Sequence, residues 1–289
     1  MKIAYIISAY KNPEQLVRLI LRLNSDKTNF LVHVDKKTDK CIFDQIVCDI
    51  KHLANVYFLK RYRCYWGGFG HVQATTEGIN EIFKRSIPFD CAILLTGQDY
   101  PIKTNEQIRT FLQEHDGKSF MEYFCLPSDN WEGGGLQRVE LWHLRLRNRL
   151  FVFPKKHDSW LKRKFPENFR PFGGSSYWCL PRECITYIHK FTRNNSRFVN
   201  FFKFVDVPDE IFFQTIVMNS PFAGSVVNDD LRYIEWNDPN SGSPAILGRH
   251  DFEKIASAPK LFARKFDVNV DAEVLDLIDR RLLDCSSQL

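Results

Sequence analysis

Chemistry-bearing residues fall into a few short clusters along this chain. Pro208-Asp209-Glu210 opens an amphipathic run in which Ile211, Phe212, Thr215 and Ile216 share a face. Acids in a first helical turn ordinarily cap it and meet its dipole, which accounts for Asp209. Glu210 is equally placed to project into a cleft as a general base. Leu261-Phe-Ala-Arg264-Lys265-Phe266-Asp267 sets two cations side by side in an extended run. Alternation sends neighbours to opposite faces, so one of Arg264 and Lys265 faces inward. A buried cation needs an anion, and phosphate is a natural partner.

Other polar residues stand where apolar runs end. Phe30-Leu-Val-His-Val34 leads into Asp35-Lys36-Lys37. An acid at the tip of a second strand reads either as an acceptor for a nucleotide's base or ribose or as an ordinary turn residue. Cys91-Ala-Ile-Leu-Leu95 leads into Thr96-Gly-Gln-Asp99, where Asp99 either caps the next loop or touches ligand. Gly173-Gly174-Ser175-Ser176-Tyr177-Trp178 joins a glycine pair to an aromatic strand. It reads as a close backbone approach to a ligand or as a plain turn. Asn228-Asp229-Asp230 could mimic an acidic metal site, although it comes late in the chain. No GxxxxGK[ST], GxSxG or HExxH occurs, and no GxGxxG opens the first helix, which disfavours the phosphate-loop, hydrolase, zincin and dinucleotide chemistries.

The elements that must position these clusters alternate. Strands are expected at 3–8, 30–34, 56–59, 91–95 and 120–124, and helices from Asn12-Pro13, at 42–50, 71–83 and 105–112. Such alternation implies an α/β fold with a mostly parallel sheet, whose ligands bind beyond the carboxyl ends of its strands. Residues 127–172 lose the rhythm and read as a functional insertion within one domain spanning 1–289. Beyond it, 175–180 reads as a strand, 181–191 and 208–218 as helices, 226–236 as extended, 251–256 as helical, 261–266 as extended and 270–283 as helical.

With 289 residues, 44% hydrophobic and 26% charged, the chain is neither disordered nor of low complexity. No apolar run approaches a membrane span, and the first ten residues read as a strand, not a signal peptide. Eight cysteines without a CxxC pair read as reduced thiols, which implies a cytoplasmic protein. The net charge of +5 is concentrated. Arg138–Arg170 holds ten Lys or Arg and three acids, leaving −2 elsewhere. That segment reads as a solvated surface, a site for an anionic acceptor, or a face for an anionic bilayer, with Trp160, Leu161 and Phe165 suited to an interface. Nucleic acid is disfavoured, because no recognised binding pattern accompanies the charge.

In order along the chain, His33-Val-Asp-Lys-Lys37, Leu95-Thr-Gly-Gln-Asp-Tyr-Pro-Ile-Lys103, Gly174-Ser-Ser-Tyr-Trp178 with Arg182-Glu183, Pro208-Asp-Glu210, Arg232-Tyr-Ile-Glu-Trp236 and Leu261-Phe-Ala-Arg-Lys-Phe-Asp267 resemble one family. It is the core-2/I-branching β-1,6-N-acetylglucosaminyltransferases, which also holds the peptide O-xylosyltransferases. The chain is similar to a short bacterial member without the anchor and stem of the animal Golgi enzymes. The resemblance implies a GT-A fold, a UDP-sugar donor and an inverting, metal-independent transfer to a carbohydrate or lipid-linked acceptor in surface polysaccharide synthesis, with no cofactor. It implies Glu210 as base and Lys265 as the cation for the departing diphosphate. It places Asp35 on the uridine, Asp99, Gly174, Ser175 and Arg264 near the donor, and Trp236 and Trp178 at the acceptor. UDP-GlcNAc is the default donor, followed by UDP-xylose and UDP-glucose. A departure concerns the second cation. The animal enzymes supply an Arg where this chain has Ser241-Gly-Ser-Pro244, leaving Arg249, Arg264 or Arg232. A non-catalytic carbohydrate-binding protein on the same fold is the alternative.

Overall fold

The computed structural model describes residues 1–147, 149–154, 161–236 and 243–284. The first half alternates: β1 (Ile3–Ala9), α1 (Pro13–Leu23), β2 (Thr28–Val34), α2 (Lys40–Ile50), β3 (Val56–Phe58), α3 (Gly70–Lys84), β4 (Cys91–Thr96), β5 (Asp99–Pro101) and α4 (Asn105–Glu114). β1 is an unbroken apolar run because helices cover both faces of the sheet it centres. α1 buries Leu16, Leu19, Ile20 and Leu23, the stripe that a 3.6-residue period places on one face. Asn12 does not cap α1 with its side chain. It takes a left-handed conformation (φ 51°) and donates instead to Asp267 Oδ1 at 2.8 Å. α4 begins with a reciprocal box in which Thr104 and Gln107 bond each other's backbone amides.

The second half continues with β6 (Ser119–Met121), β7 (Phe124–Cys125), α5 (Gln137–Glu140), β8 (Trp142–Leu146), β9 (Arg149–Phe153), β10 (Phe172–Gly173) and β11 (Trp178–Pro181). Then come α6 (Arg182–Asn194), α7 (Ser196–Phe202), α8 (Phe212–Met218), β12 (Val226–Val227), β13 (Arg232–Ile234), α9 (Phe252–Ser257), β14 (Phe262–Arg264) and α10 (Glu273–Ile278). Several expected elements are broken. The 120–124 run divides into β6 and β7, and 226–236 into β12 and β13. The helix expected over 208–218 is a 3-10 turn at Pro208–Glu210 and then α8, separated where Ile211 leaves helical geometry (φ −131°). The middle segment contains an antiparallel β8–β9 hairpin that its run of arginines concealed.

Among the described residues, seven strands form the main sheet in the order β12-β6-β11-β4-β1-β2-β3. β1, β2, β3 and β4 are mutually parallel, and β11 runs against β4 and β6. This α/β architecture, mostly parallel and flanked by helices, is the one expected and is compatible with a GT-A-like fold. A smaller sheet, β13-β14-β5, pairs Arg264 opposite Asp99. The two faces of the main sheet carry separate apolar layers. One includes Tyr5, Phe30 and Phe262, and the other Ile6, Trp178, Phe202 and Phe212.

Trp178 is therefore not an acceptor contact. Its side chain is 0% exposed and packs 5.8 Å from Phe213, because its position in β11 directs it into the second layer. Cys91 and Cys179 face each other with sulfurs 3.3 Å apart, and no disulfide joins the described cysteines; Cys285 lies outside them. Trp178→Ala should lower stability by about 3–5 kcal/mol in urea unfolding. Trp236→Ala, at a half-exposed ring, should move it by less than ~0.5 kcal/mol. Near-equal losses would refute the core assignment of Trp178.

Candidate active site

The 3-10 turn at Pro208–Glu210 is a short platform at the edge of the second apolar layer, anchored by buried Pro208 and followed by buried α8. Glu210 keeps 32% of its side chain open to solvent while the rest is enclosed. Its Oε2 accepts from Arg138 Nη1 at 2.8 Å. Burial, and then the neighbouring Asp209 charge, push the Glu210 carboxyl up to about 7, with Arg138 opposing them. A carboxylate with that proton affinity is matched to general-base work near neutral pH. Arg138 is itself held 3.8 Å from the Trp131 ring centroid.

A second cluster is cationic. Arg264, 8% exposed, lies 4.4 Å from the Tyr177 ring and 3.5 Å from Asp99 Oδ1. Its Nε and Nη1 have no hydrogen-bond partner. Lys265 donates to Ser243 Oγ at 2.9 Å. Partial burial, followed by the charges of Arg264 and Lys11, depresses the Lys265 pKa. Lys11, just past β1, pairs with Asp267 at 2.5 Å. Arg264 and Lys265 repel each other here, Asp99 and Asp267 offset part of the positive charge, and an arriving anion would meet the remainder.

Residues 175–177 join the two clusters. Ser175 Oγ donates to Asp230 at 2.7 Å, Ser176 Oγ donates to Asp209 at 2.9 Å, and Tyr177 lies against Arg264. Asp35, at the end of β2, accepts from the Lys37 and Cys64 amides at 2.8 and 3.3 Å. The Cys64 thiol is pushed up to about 12 by burial and then by the charges of Asp35 and Asp209. Asp35 follows the carboxyl end of β2, the side on which an α/β sheet binds ligand, while Asp209 and Arg264 are linked through residues 176–177.

The chain matches the Core-2/I-branching enzyme family over residues 3–256. It belongs to that family of glycosyltransferases. It is 26% identical to xylosyltransferase 2 of Mus musculus over 98% of its length and 34% of the mouse protein's. It is 25% identical to xylosyltransferase 1 of Homo sapiens over 96% of its length and 30% of the human protein's. The chain thus spans about a third of the length of these relatives. Among solved structures it is similar to 4-diphosphocytidyl-2C-methyl-D-erythritol synthase from Anaerococcus prevotii, with a TM-score of 0.34 and 12% identity over 70% of this chain and 82% of that one.

The structure assigns the remaining family-derived residues unevenly. Asp99 is 0% exposed, and its carboxylate caps the Thr96 amide and faces Arg264. Gly174 permits a close approach, but to the chain itself. A Cβ there would lie 1.9 Å from the Glu122 carbonyl oxygen. Ser175 faces Asp230. Trp236 is half-exposed just past Ile234, which pairs with Arg264. Of the candidate second cations, Arg232 is 3% exposed and bonded to the Asp230 and Leu94 carbonyls, and exposed Arg249 pairs with Glu273, which leaves Arg264 beside Lys265. Asp229 is taken by Lys260 at 2.7 Å, and Asp230 by Ser175 and the Arg232 amide.

Arg138, Tyr177 and Lys11 escaped the sequence reading. The Arg138–Glu210 pair spans 72 residues and leaves no periodic trace. Tyr177 was visible only as one of two aromatics after the glycine pair. Ser241 and Gly242 lie outside the described residues.

If burial raises Glu210 and Arg138 restrains it, carboxyl-carbon NMR should titrate Glu210 near pH 7. Arg138→Met should move the midpoint upward, and Arg138→Lys should move it less. A midpoint in the ordinary carboxylate range would remove Glu210 as a tuned base. The linked stability has the matching sign. It is fully present below the unfolded carboxyl pKa and is lost as pH rises through about 7.

Proposed function

We propose that this protein is an inverting glycosyltransferase that moves a sugar from a UDP-sugar onto a carbohydrate hydroxyl without a divalent metal. The observation that supports this reading most directly is the pairing of Glu210, protonating near neutrality, with the Lys11, Arg264 and Lys265 cluster across residues 175–177. Glu210 takes the acceptor hydroxyl's proton as that oxygen bonds to the anomeric carbon. The bond from that carbon to the donor's diphosphate oxygen breaks, and its electron pair leaves on the diphosphate. Lys265 and Arg264 neutralise the departing charge, the role a metal plays in many such enzymes. Trp236 offers an apolar face to the acceptor sugar.

UDP-GlcNAc is the first donor to test. The names of the xylosyltransferase relatives make UDP-xylose its nearest rival, and UDP-glucose follows. The acceptor is proposed to be a carbohydrate, lipid-linked in surface polysaccharide synthesis. Among the described residues no helix is long and apolar enough to cross a membrane, so any membrane contact is peripheral in this reading.

The test is acceptor-dependent UDP release. Glu210→Gln should cut turnover by ~10²–10⁴-fold while donor affinity survives, as expected for loss of a general base. The wild-type kcat/KM should show an acid limb near pH 7 that Glu210→Gln abolishes. Lys265→Ala should weaken both donor binding and turnover. EDTA should leave the rate nearly unchanged, and a loss restored by manganese would overturn the metal-free step. Sugar binding without UDP release would favour a non-catalytic carbohydrate-binding protein.

A further inference from the structure

The β8–β9 hairpin carries an outer face that, beyond Trp142 at its root, no described element covers. Its register pairs Trp142 with Phe153, Leu144 with Phe151 and Leu146 with Arg149. Side chains alternate across a strand pair, so these six share one face. His143, Arg145, Leu150 and Val152 share the other.

That other face is fastened to the body through β8. The His143 amide donates to the Phe204 carbonyl at 3.0 Å, and Arg145 Nε donates to the Gly67 carbonyl at 3.0 Å. Arg145 also pairs with Asp206. Arg163 lies between the Trp142 and Phe201 rings, at 4.5 and 3.7 Å, and clamps the root of the hairpin. The outer face stays bare: Leu144, Phe151 and Phe153 are each more than half exposed, and Leu146 is 66% exposed. A contiguous apolar patch of this kind marks an interaction site.

Charge identifies the partner. Residues 141–154 contain Arg145, Arg147 and Arg149 and no acid. Arg147 and Arg149 are exposed at the tip and make no ion pair among the described residues. The hairpin lies within the Arg138–Arg170 segment read as a candidate bilayer face. Phe165 packs on Phe201 and Phe202, Lys162 pairs with Glu140, and Trp160 lies outside the described residues. Apolar side chains beside unpaired arginines suit the boundary between acyl chains and anionic headgroups. Two copies meeting face to face would oppose their arginines.

We propose that the hairpin docks on an anionic lipid bilayer, with Leu144, Leu146, Phe151 and Phe153 at the acyl boundary and Arg147 and Arg149 on lipid phosphates. Its use in transfer rests on the reading under Proposed function. Asp206, tied to Arg145, lies four residues before Glu210, so docking would hold the base at a fixed height over a lipid-linked acceptor.

Co-sedimentation with vesicles tests the docking without donor or turnover. The protein should bind phosphatidylglycerol–phosphatidylcholine vesicles well above pure phosphatidylcholine, and salt should weaken binding. Each of Arg147→Ala and Arg149→Ala should weaken it about fivefold. Phe151→Ser with Phe153→Ser should abolish it, with circular dichroism unchanged. Equal binding to both vesicle types, or variants that bind like wild type, would overturn the proposal. So would a dimer in solution that the serine variant dissociates. Transfer to a soluble acceptor should survive the arginine changes, so a protein that binds vesicles but releases no UDP would sink the transferase reading alone.

Discussion

Asp267 fastens the end of the fold to its beginning. Its carboxylate accepts from Lys11 at 2.5 Å and from Asn12 at 2.8 Å, some 255 residues earlier in the chain. Gln15 reinforces the joint by donating to the Gly97 and Phe266 carbonyls and accepting from the Val268 amide. The clasp acts with the paired bonds between Phe266 and Gln98 to hold the segment after β14 at the end of β4, while the pairing of β14 with β5 and β13 places Arg264. Burial alone would raise the Asp267 pKa. The bonds from Lys11 and Asn12 outweigh it and hold the carboxyl below its ordinary value. The clasp is therefore fully formed at neutral pH and is lost only as pH falls through that depressed value.

Most of the sheet was legible because its physics is local. β1, β2 and β4 are largely buried on both faces and so read as mainly apolar runs, interrupted in β2 by His33, and α1 repeats its stripe at the helical period. The errors came where tertiary contacts override local pattern. Asn12-Pro13 looks like an ordinary helix start, but the Asn12 side chain bonds a residue near the other end of the chain. Pro208–Met218 has helical periodicity, yet it breaks at Ile211 and leaves Glu210 on a separate turn. Trp178 follows a glycine pair as a ligand contact would, but strand alternation sends Tyr177 to the site and Trp178 to the core. The β8 strand is written in the alternation of Trp142, Leu144 and Leu146, which the intervening arginines masked. The candidate site residues rest on family likeness; the contacts of Glu210 with Arg138 and of Arg264 with Tyr177 depend on folded distance.

The two halves of the site are tuned in opposite senses. Enclosure shifts Glu210 toward its neutral acid and Lys265 toward its neutral amine. Each charge is thereby less stable alone than in water, and each is suited to a reaction that brings the missing charge. In the proposed reaction a diphosphate beside Lys265 and Arg264 restores favourable charge on the cations. A hydroxyl proton leaving its oxygen neutralises Glu210. Tyr177, Ser175 and Ser176 keep the two halves apart, so that they do not cancel each other as a direct ion pair would.

Arg138 and Arg145 extend this logic to the basic insertion, whose sequence reads as a solvated surface, an acceptor site or a bilayer face. Both are drawn inward, to Glu210 and to Asp206, and the Asp206 amide donates to the Arg138 carbonyl at 3.0 Å. The loop before the base is consequently held by α5 on one side and by the root of the β8–β9 hairpin on the other. Whatever fixes the hairpin also fixes the loop, because the Gly67 carbonyl accepts from both Arg145 and the Val207 amide. The cationic excess of this region thus divides by geometry. Arginines at the root hold Glu210 and Asp206, while those at the tip remain available to an outside anion.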